Sequence, residues 1–201
     1  MLKQRNNLID PNPTSIFGIE KALNKINVKS NAPVHLWNPT FCGNLDIRIA
    51  RDGAWFYEGS KITRLNLVKL FSSILKKEGD NYFLVTPVEK IGIIVDDAPF
   101  VATSLDVFGE GEKKIISFTT HVGDKFTLSK TNPIRIEYNQ ATNEPSPYIT
   151  VRKNLEALID RKSFYRLIDL GNTETYQGAC WFGLRSNETF FPLVLNDTLT
   201  D

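Results

Sequence analysis

Histidine, methionine and cysteine are scarce in this 201-residue chain, with two, one and two copies respectively. His35 and His121 are a thin stock for acid–base or metal chemistry, and no HxH, HxxxH or CxxC spacing gathers ligands. No metal site, catalytic residue or cofactor is therefore expected. Cys42 and Cys180 stand far apart in sequence and read as free thiols of a reducing cytoplasm. No run reaches the roughly 18–20 apolar residues of a membrane-spanning helix. The opening Met1-Leu2-Lys3-Gln4-Arg5 has no apolar stretch behind it, which argues against a signal peptide. A net charge of +1 gives no footprint for duplex nucleic acid, and no polybasic loop marks a membrane-binding face. Phosphate-cradling loops are missing too, because Gly109-Glu110-Gly111-Glu112 is acidic and lies between two expected strands.

What the chain does hold is ample packing material and an internal echo. Hydrophobic residues make up 41%, including thirteen Phe, which suits an ordered globular protein. A strand–turn–strand–turn–strand–helix pattern occurs twice. The first copy runs through Leu45–Ile49, Ala54–Tyr57 and Lys61-Ile62 into a helix from Arg64 to Lys77. The second runs through Ile134–Glu137, Tyr148–Val151 and Leu155–Ile159 into a helix from Arg161 to Leu170. Both contain Ile-Arg-Ile and an aromatic residue on the second strand, as expected of a duplicated supersecondary unit.

Ser15 is placed to cap a helix over residues 16–26. Leu67, Leu70, Phe71, Ile74 and Leu75 form the apolar stripe of the helix after Thr63. From Glu89 onward the pattern reads as continuous antiparallel strands: Ile91–Val95, Phe100–Phe108, Lys114–Thr120, Phe126–Ser129, Ile134–Tyr138, Tyr148–Arg152 and Leu155–Ile159. Asp160 then caps a helix whose Phe164, Leu167 and Ile168 face inward, and strands at 179–184 and 189–193 follow. The fold class expected is α+β: a small N-terminal α+β domain over 1–89 and a pleckstrin-homology-like β-roll with a helix over 90–201.

Alternation along the strands gives two polar–aromatic faces. Trp55 and Tyr57 share one face; Asp46 and Arg48 lie opposite Leu45, Ile47 and Ile49; Tyr148, Thr150 and Arg152 share another. Where such faces line the meeting point of two domains, they suit a ligand with a planar ring and an anionic group. Two rivals stand beside this reading. One is a protein–protein adaptor using the edge of the roll; the other is an enzyme built on Cys42 with His35 or His121.

Trp37-Asn38-Pro39-Thr40-Phe41-Cys42-Gly43-Asn44-Leu45-Asp46 and Ile49–Tyr57 resemble the bacterial DUF1285 family of uncharacterised proteins. The likeness continues at Tyr82–Lys90, Val122-Gly123-Asp124, Pro147–Arg152, Phe164-Tyr165 and Phe190–Leu193. It implies a duplicated α+β arrangement with a pleckstrin-homology-like second half. It also implies a nucleotide-type ligand at the interface of the two domains, with a part in signal transduction. The positions carried over are Trp37, Asn38, Arg48, Trp55, Tyr57, Tyr148 and Arg152. A glycine-rich hairpin of the family is replaced here by Lys153-Asn154. The expectation is a cytoplasmic, non-catalytic module whose partners are a nucleotide-like small molecule and, alternatively, a protein.

Overall fold

The structure, a computed structural model, describes residues 18–19 and 32–196. The expected helix over 16–26 lies outside the described residues apart from Gly18 and Ile19, which are helical. The chain divides into two compact units, one of Met1–Arg48 and Trp55–Ile94, the other of Ile49–Ala54 and Val95–Asp201.

The first unit holds β1 (Phe41–Ile49), β2 (Trp55–Tyr57), β3 (Ser60–Lys61), α1 (Leu65–Ser73), β4 (Leu75–Glu78), β5 (Asn81–Val85) and β6 (Lys90–Val95). These strands form one sheet in the order β3-β2-β1-β6-β5-β4. Alternation along β1 behaves as read: Ile47 and Ile49 are buried while Asp46 and Arg48 are exposed. Glu58-Gly59 joins β2 to β3 with both residues at positive φ, the backbone of a type I′ hairpin. Leu67, Val68, Phe71 and Ser72 turn the inner face of α1 into the core, where Phe71 meets the ring of Trp55 at 6.2 Å.

The first helix is shorter than its apolar stripe predicts. It stops at Ser73, and Leu75–Glu78 pairs antiparallel with Asn81–Val85. Leu75 satisfies both periods, continuing the helical stripe while pointing into the core from a strand. Gly79, at φ +59, decides between them, because it opens a two-residue turn that folds β4 back onto β5.

The second unit holds β7 (Phe100–Phe108), β8 (Ile115–Thr120), β9 (Lys125–Thr127), β10 (Ile134–Tyr138), β11 (Pro145–Arg152), β12 (Leu155–Ile159), α2 (Arg161–Asp169), β13 (Asn172–Tyr176), β14 (Ala179–Ser186) and β15 (Thr189–Leu195). Six strands run in the order β10-β11-β12-β7-β8-β9, and β13-β14-β15 form a separate sheet. One pairing departs from the expected antiparallel run: β12 lies parallel to β7, with Ala157 opposite Phe100. Strand β13 has no hydrophobic alternation and was not anticipated from its sequence, Asn-Thr-Glu-Thr-Tyr.

Phe100, Ala102, Leu105, Ile116, Phe118, Leu128, Ile149, Ala157, Ile159, Leu167 and Leu184 make this unit's core. The two sheets are tied by the buried Ser186, whose hydroxyl donates to the Leu128 carbonyl and accepts from the Ile116 amide at 3.1 and 3.2 Å. Asp160 caps α2 as read, its Oδ1 accepting from the Ser163 amide at 2.7 Å. Lys153 opens the β11–β12 turn at φ +53, the left-handed region that glycine enters most readily.

The described residues are thus mostly strand, with two α-helices of nine residues and curled sheets in two domains. The order three strands, helix, three strands occurs twice, as β1 to β6 around α1 and as β10 to β15 around α2.

Candidate functional site

Arg51 sits on the turn between β1 and β2, which belongs to the second unit. Gly53 makes that turn possible. It stands at φ +82, and a Cβ there would approach the imidazole of His121 at 3.1 Å. Asp52 fixes the turn by accepting the Ala54 amide at 2.9 Å. The guanidinium of Arg51 donates through Nη2 to Ser146 Oγ at 2.9 Å. Its Nε lies 3.1 Å from Asp97 Oδ2, an ion pair whose N–H is not aimed along a hydrogen bond.

Asp97 is shared. Its Oδ1 accepts the hydroxyl of Tyr148 at 2.8 Å, and burial followed by this carboxylate partner pushes the phenol up to about 12. The phenol is therefore the donor across the neutral pH range. Arg135 covers the other side of the ring at 4.4 Å from its centroid and forms a two-pronged ion pair with Glu156. Arg51, Asp97, Tyr148 and Arg135 form one chain of contacts that holds the turn against β11.

In front of Arg51 opens a cleft of about 330 Å³, lined by Asn139, Glu144, Ser146, Asp160, Arg161, Phe164 and Tyr165 among others. Its wall is made by the 139–147 segment and the first turn of α2. The oxygen of Asp160 nearest the helix is committed to the cap. Arg161 and Tyr165 are exposed, and the rings of Phe164 and Tyr165 stand 6.5 Å apart. The cleft thus offers two guanidinium groups, an amide, two hydroxyls and two rings, opposed by the carboxylates of Glu144 and Asp160.

The sequence-derived candidates fall in both units. Trp37 follows a short 3-10 helix, is half-buried, and accepts Lys76 Nζ on its carbonyl at 3.4 Å. Asn38 and Arg48 are exposed. Trp55 is 1% exposed and lies in the first unit's core, its Nε1 buried without a hydrogen-bond partner among the described residues. Tyr57 shares its strand face but is half-buried, and its phenol is raised by burial and by Glu58. Tyr148 is buried behind Arg51. Arg152 pairs with Asp124 at 2.7 Å and covers the ring of Phe100 at 4.9 Å. Of the seven, Tyr148 is the one joined to the arginine cleft, through Asp97. Alternation does not single out Arg51, Ser146, Arg161 and Tyr165: Arg51 sits in a turn, Ser146 near the start of β11, and Arg161 and Tyr165 on the exposed side of α2.

The scarce reactive groups lie elsewhere. Cys42 is exposed and donates to the Thr40 carbonyl at 3.3 Å. His121 accepts the Val101 amide on Nδ1 at 3.1 Å, and burial lowers its pKa against the opposing pull of Asp124 and Asp52. Among the described residues no three histidine, cysteine or acidic side chains gather to hold a metal ion. None of their helices is long and apolar enough to cross a membrane.

The family model for the N-terminal domain of DUF1285, a domain of unknown function, matches residues 32–98, and that for its C-terminal domain matches residues 99–193. The crystal structure of a DUF1285 family protein from Silicibacter pomeroyi DSS-3 is similar at a TM-score of 0.81 and 56% identity, over 92% of this chain and 98% of that one. A DUF1285 family protein from Shewanella baltica OS155 is similar at a TM-score of 0.50 and 25% identity, over 62% of this chain and 91% of that one. No curated protein matches. Two consecutive domain matches and a near full-length structural relative place the chain in one group: it belongs to the DUF1285 family.

Proposed function

We propose that this protein is a non-catalytic binding and signalling module that takes a nucleotide-like small molecule in the cleft of its second unit. The observation that carries this reading is the convergence of Arg51 and Arg161 on one cleft beside the rings of Phe164 and Tyr165. A planar guanidinium fork suits a phosphate or carboxylate, and an aromatic face suits a heterocycle. Tyr148 supports the site from behind by fixing Asp97, which in turn holds Arg51. Asn38 and Arg48, exposed, and Trp37 and Tyr57, half-buried, stay in the proposal as side chains of the first unit. Trp55 has the supporting part of anchoring the strand that carries Tyr57, and Arg152 that of stiffening β11.

A pleckstrin-homology-like kinship of the second unit belongs to the same proposal, supported by a curled sheet followed by a single helix. The three strands after that helix are an addition to that plan. A cytoplasmic setting is supported by the free thiols of Cys42 and Cys180.

The test is thermal denaturation with a panel of nucleoside monophosphates and cyclic dinucleotides. A ligand at a hundred times its Kd adds about 2.7 kcal/mol, which melting resolves easily. The expected result is a raised Tm for the native chain and a smaller shift for Arg161→Ala. No shift with any member of the panel would reject the nucleotide reading.

A further inference from the structure

We infer that the ligand carries an alkyl chain, a fatty-acyl carboxylate being the class that fits, and that the chain lies in an apolar groove continuous with the arginine cleft. This rests on the reading of the cleft as a site for an anion, and takes a carboxylate in place of a nucleotide phosphate as the head group held there. The repeat supplies the comparison. Helices α1 and α2 have nine residues each and follow equivalent strand triplets, so they can be read position by position. Third and seventh positions are buried in both, as Leu67 and Phe71 in the first and Ser163 and Leu167 in the second. Fourth and eighth positions differ. Val68 and Ser72 are buried in α1, whereas the bulkier, more apolar pair Phe164 and Ile168 is only half-buried in α2.

Sheet topology explains the difference. In the first copy, the opening strand β1 and closing strand β6 are hydrogen-bonded neighbours in one sheet. In the second copy, the corresponding β10 and β15 are in contact but belong to separate sheets. The parted strands leave a groove of about 330 Å³ beside α2, walled by Ile136, Phe164, Ile168, Phe182 and Val194. Its surface is almost wholly apolar. Apolar side chains gathered in a concave surface gain most by enclosing hydrocarbon, and they offer a heterocycle no polar partner.

Charge fixes which end of the ligand goes where. Pro145 and Phe164 line both the groove and the cleft, so the two spaces adjoin. Arg161 lines the cleft with no hydrogen bond or ion pair among the described residues, and Arg51, ion-paired with Asp97, keeps donors beyond the one given to Ser146. A molecule with an anionic head and an apolar tail satisfies both surfaces at once. A bare nucleotide fills the cleft alone.

The experiment is calorimetric titration of the full chain with hexanoate, octanoate and decanoate below their micellar concentrations, with decanol and AMP as controls. Each added methylene is expected to tighten binding about fourfold. Decanol should bind at least tenfold more weakly than decanoate. Ile168→Asp and, independently, Val194→Asp should abolish the dependence on chain length, while Arg161→Ala should weaken all three acids alike. Equal affinity at every chain length, or a chain-length dependence that survives both groove variants, would overturn the inference. So would sedimentation showing a dimer that Val194→Asp dissociates, since a second copy would then fill the groove. AMP binding without alkanoate binding rejects the chain and keeps the anion cleft; binding of neither rejects both.

Discussion

Truncating Phe71 and Phe164 to alanine, one at a time, measures how differently the two helices are packed. Phe71 is fully buried on α1 against Trp55, so Phe71→Ala loses a whole ring and leaves a cavity, a cost of about 3–5 kcal/mol. Phe164 on α2 is half-buried at the edge of the groove. Less apolar area returns to water there and no closed cavity forms, so Phe164→Ala should cost about 1–2 kcal/mol. Urea unfolding followed by tryptophan fluorescence is the assay. Trp55 lies beside Phe71 in the first unit and Trp181 lies on β14 in the second. Two units need not unfold together, so each variant is compared with native protein on its own unit's transition. The slope m should hold and the midpoint should move. A loss of 3 kcal/mol or more for Phe164→Ala would refute the reasoning, because the residue would then be packed in a closed core.

Three further outcomes follow from local geometry. Ser186→Ala removes the hydroxyl that joins the two sheets and strands the Ile116 amide, so a loss of about 1–3 kcal/mol is expected by chemical denaturation; a neutral result would mean the hydroxyl is not holding them. Gly53→Ala forces a side chain into the left-handed region against His121 and should cost at least about 1 kcal/mol in a melting experiment, more than Gly59→Ala, where the space is open. His121 is held neutral by burial, so the unfolded chain binds its proton more readily. Its contribution is complete above the unfolded value of about 6.5 and is lost as pH falls below it. Stability measured from pH 7.5 down to 5 should fall less steeply in His121→Gln than in the native protein; equal slopes would remove His121 as the cause.

Much of the fold was legible because its strands alternate and its turns are chemically marked. Phe100–Phe108, Ile134–Tyr138 and Leu155–Ile159 have the bounds the pattern gives, and Asp160 caps the helix that follows. Two elements escaped. Leu75 is compatible with either period, so the helical stripe concealed β4 until Gly79 turned the chain. Strand β13 is written in polar residues because most of it faces water, and only its pairing with β14 defines it.

The site was less legible than the fold, for a related reason. Alternation finds residues on strand faces, and it led to Trp55, Tyr148 and Arg152. Trp55 fills the first core, and Arg152 is engaged by Asp124 and Phe100. The cleft instead draws on Arg51 in a turn, Ser146 at the start of β11 and Arg161 in the first turn of a helix. Such positions carry no periodic signal, and only the folded chain brings them together. The parallel pairing of β12 with β7 is likewise a long-range choice that neither strand announces.

The most direct test of the cleft as a binding site is a nuclear magnetic resonance titration of the full-length, isotope-labelled chain with AMP and with octanoate. The account predicts that ligand moves the side-chain Nε signals of Arg51 and Arg161 and the amides of Ser146 and Tyr165, while those around Trp55 stay in place. Shifts clustered away from these four residues, or none at saturating ligand, would contradict it.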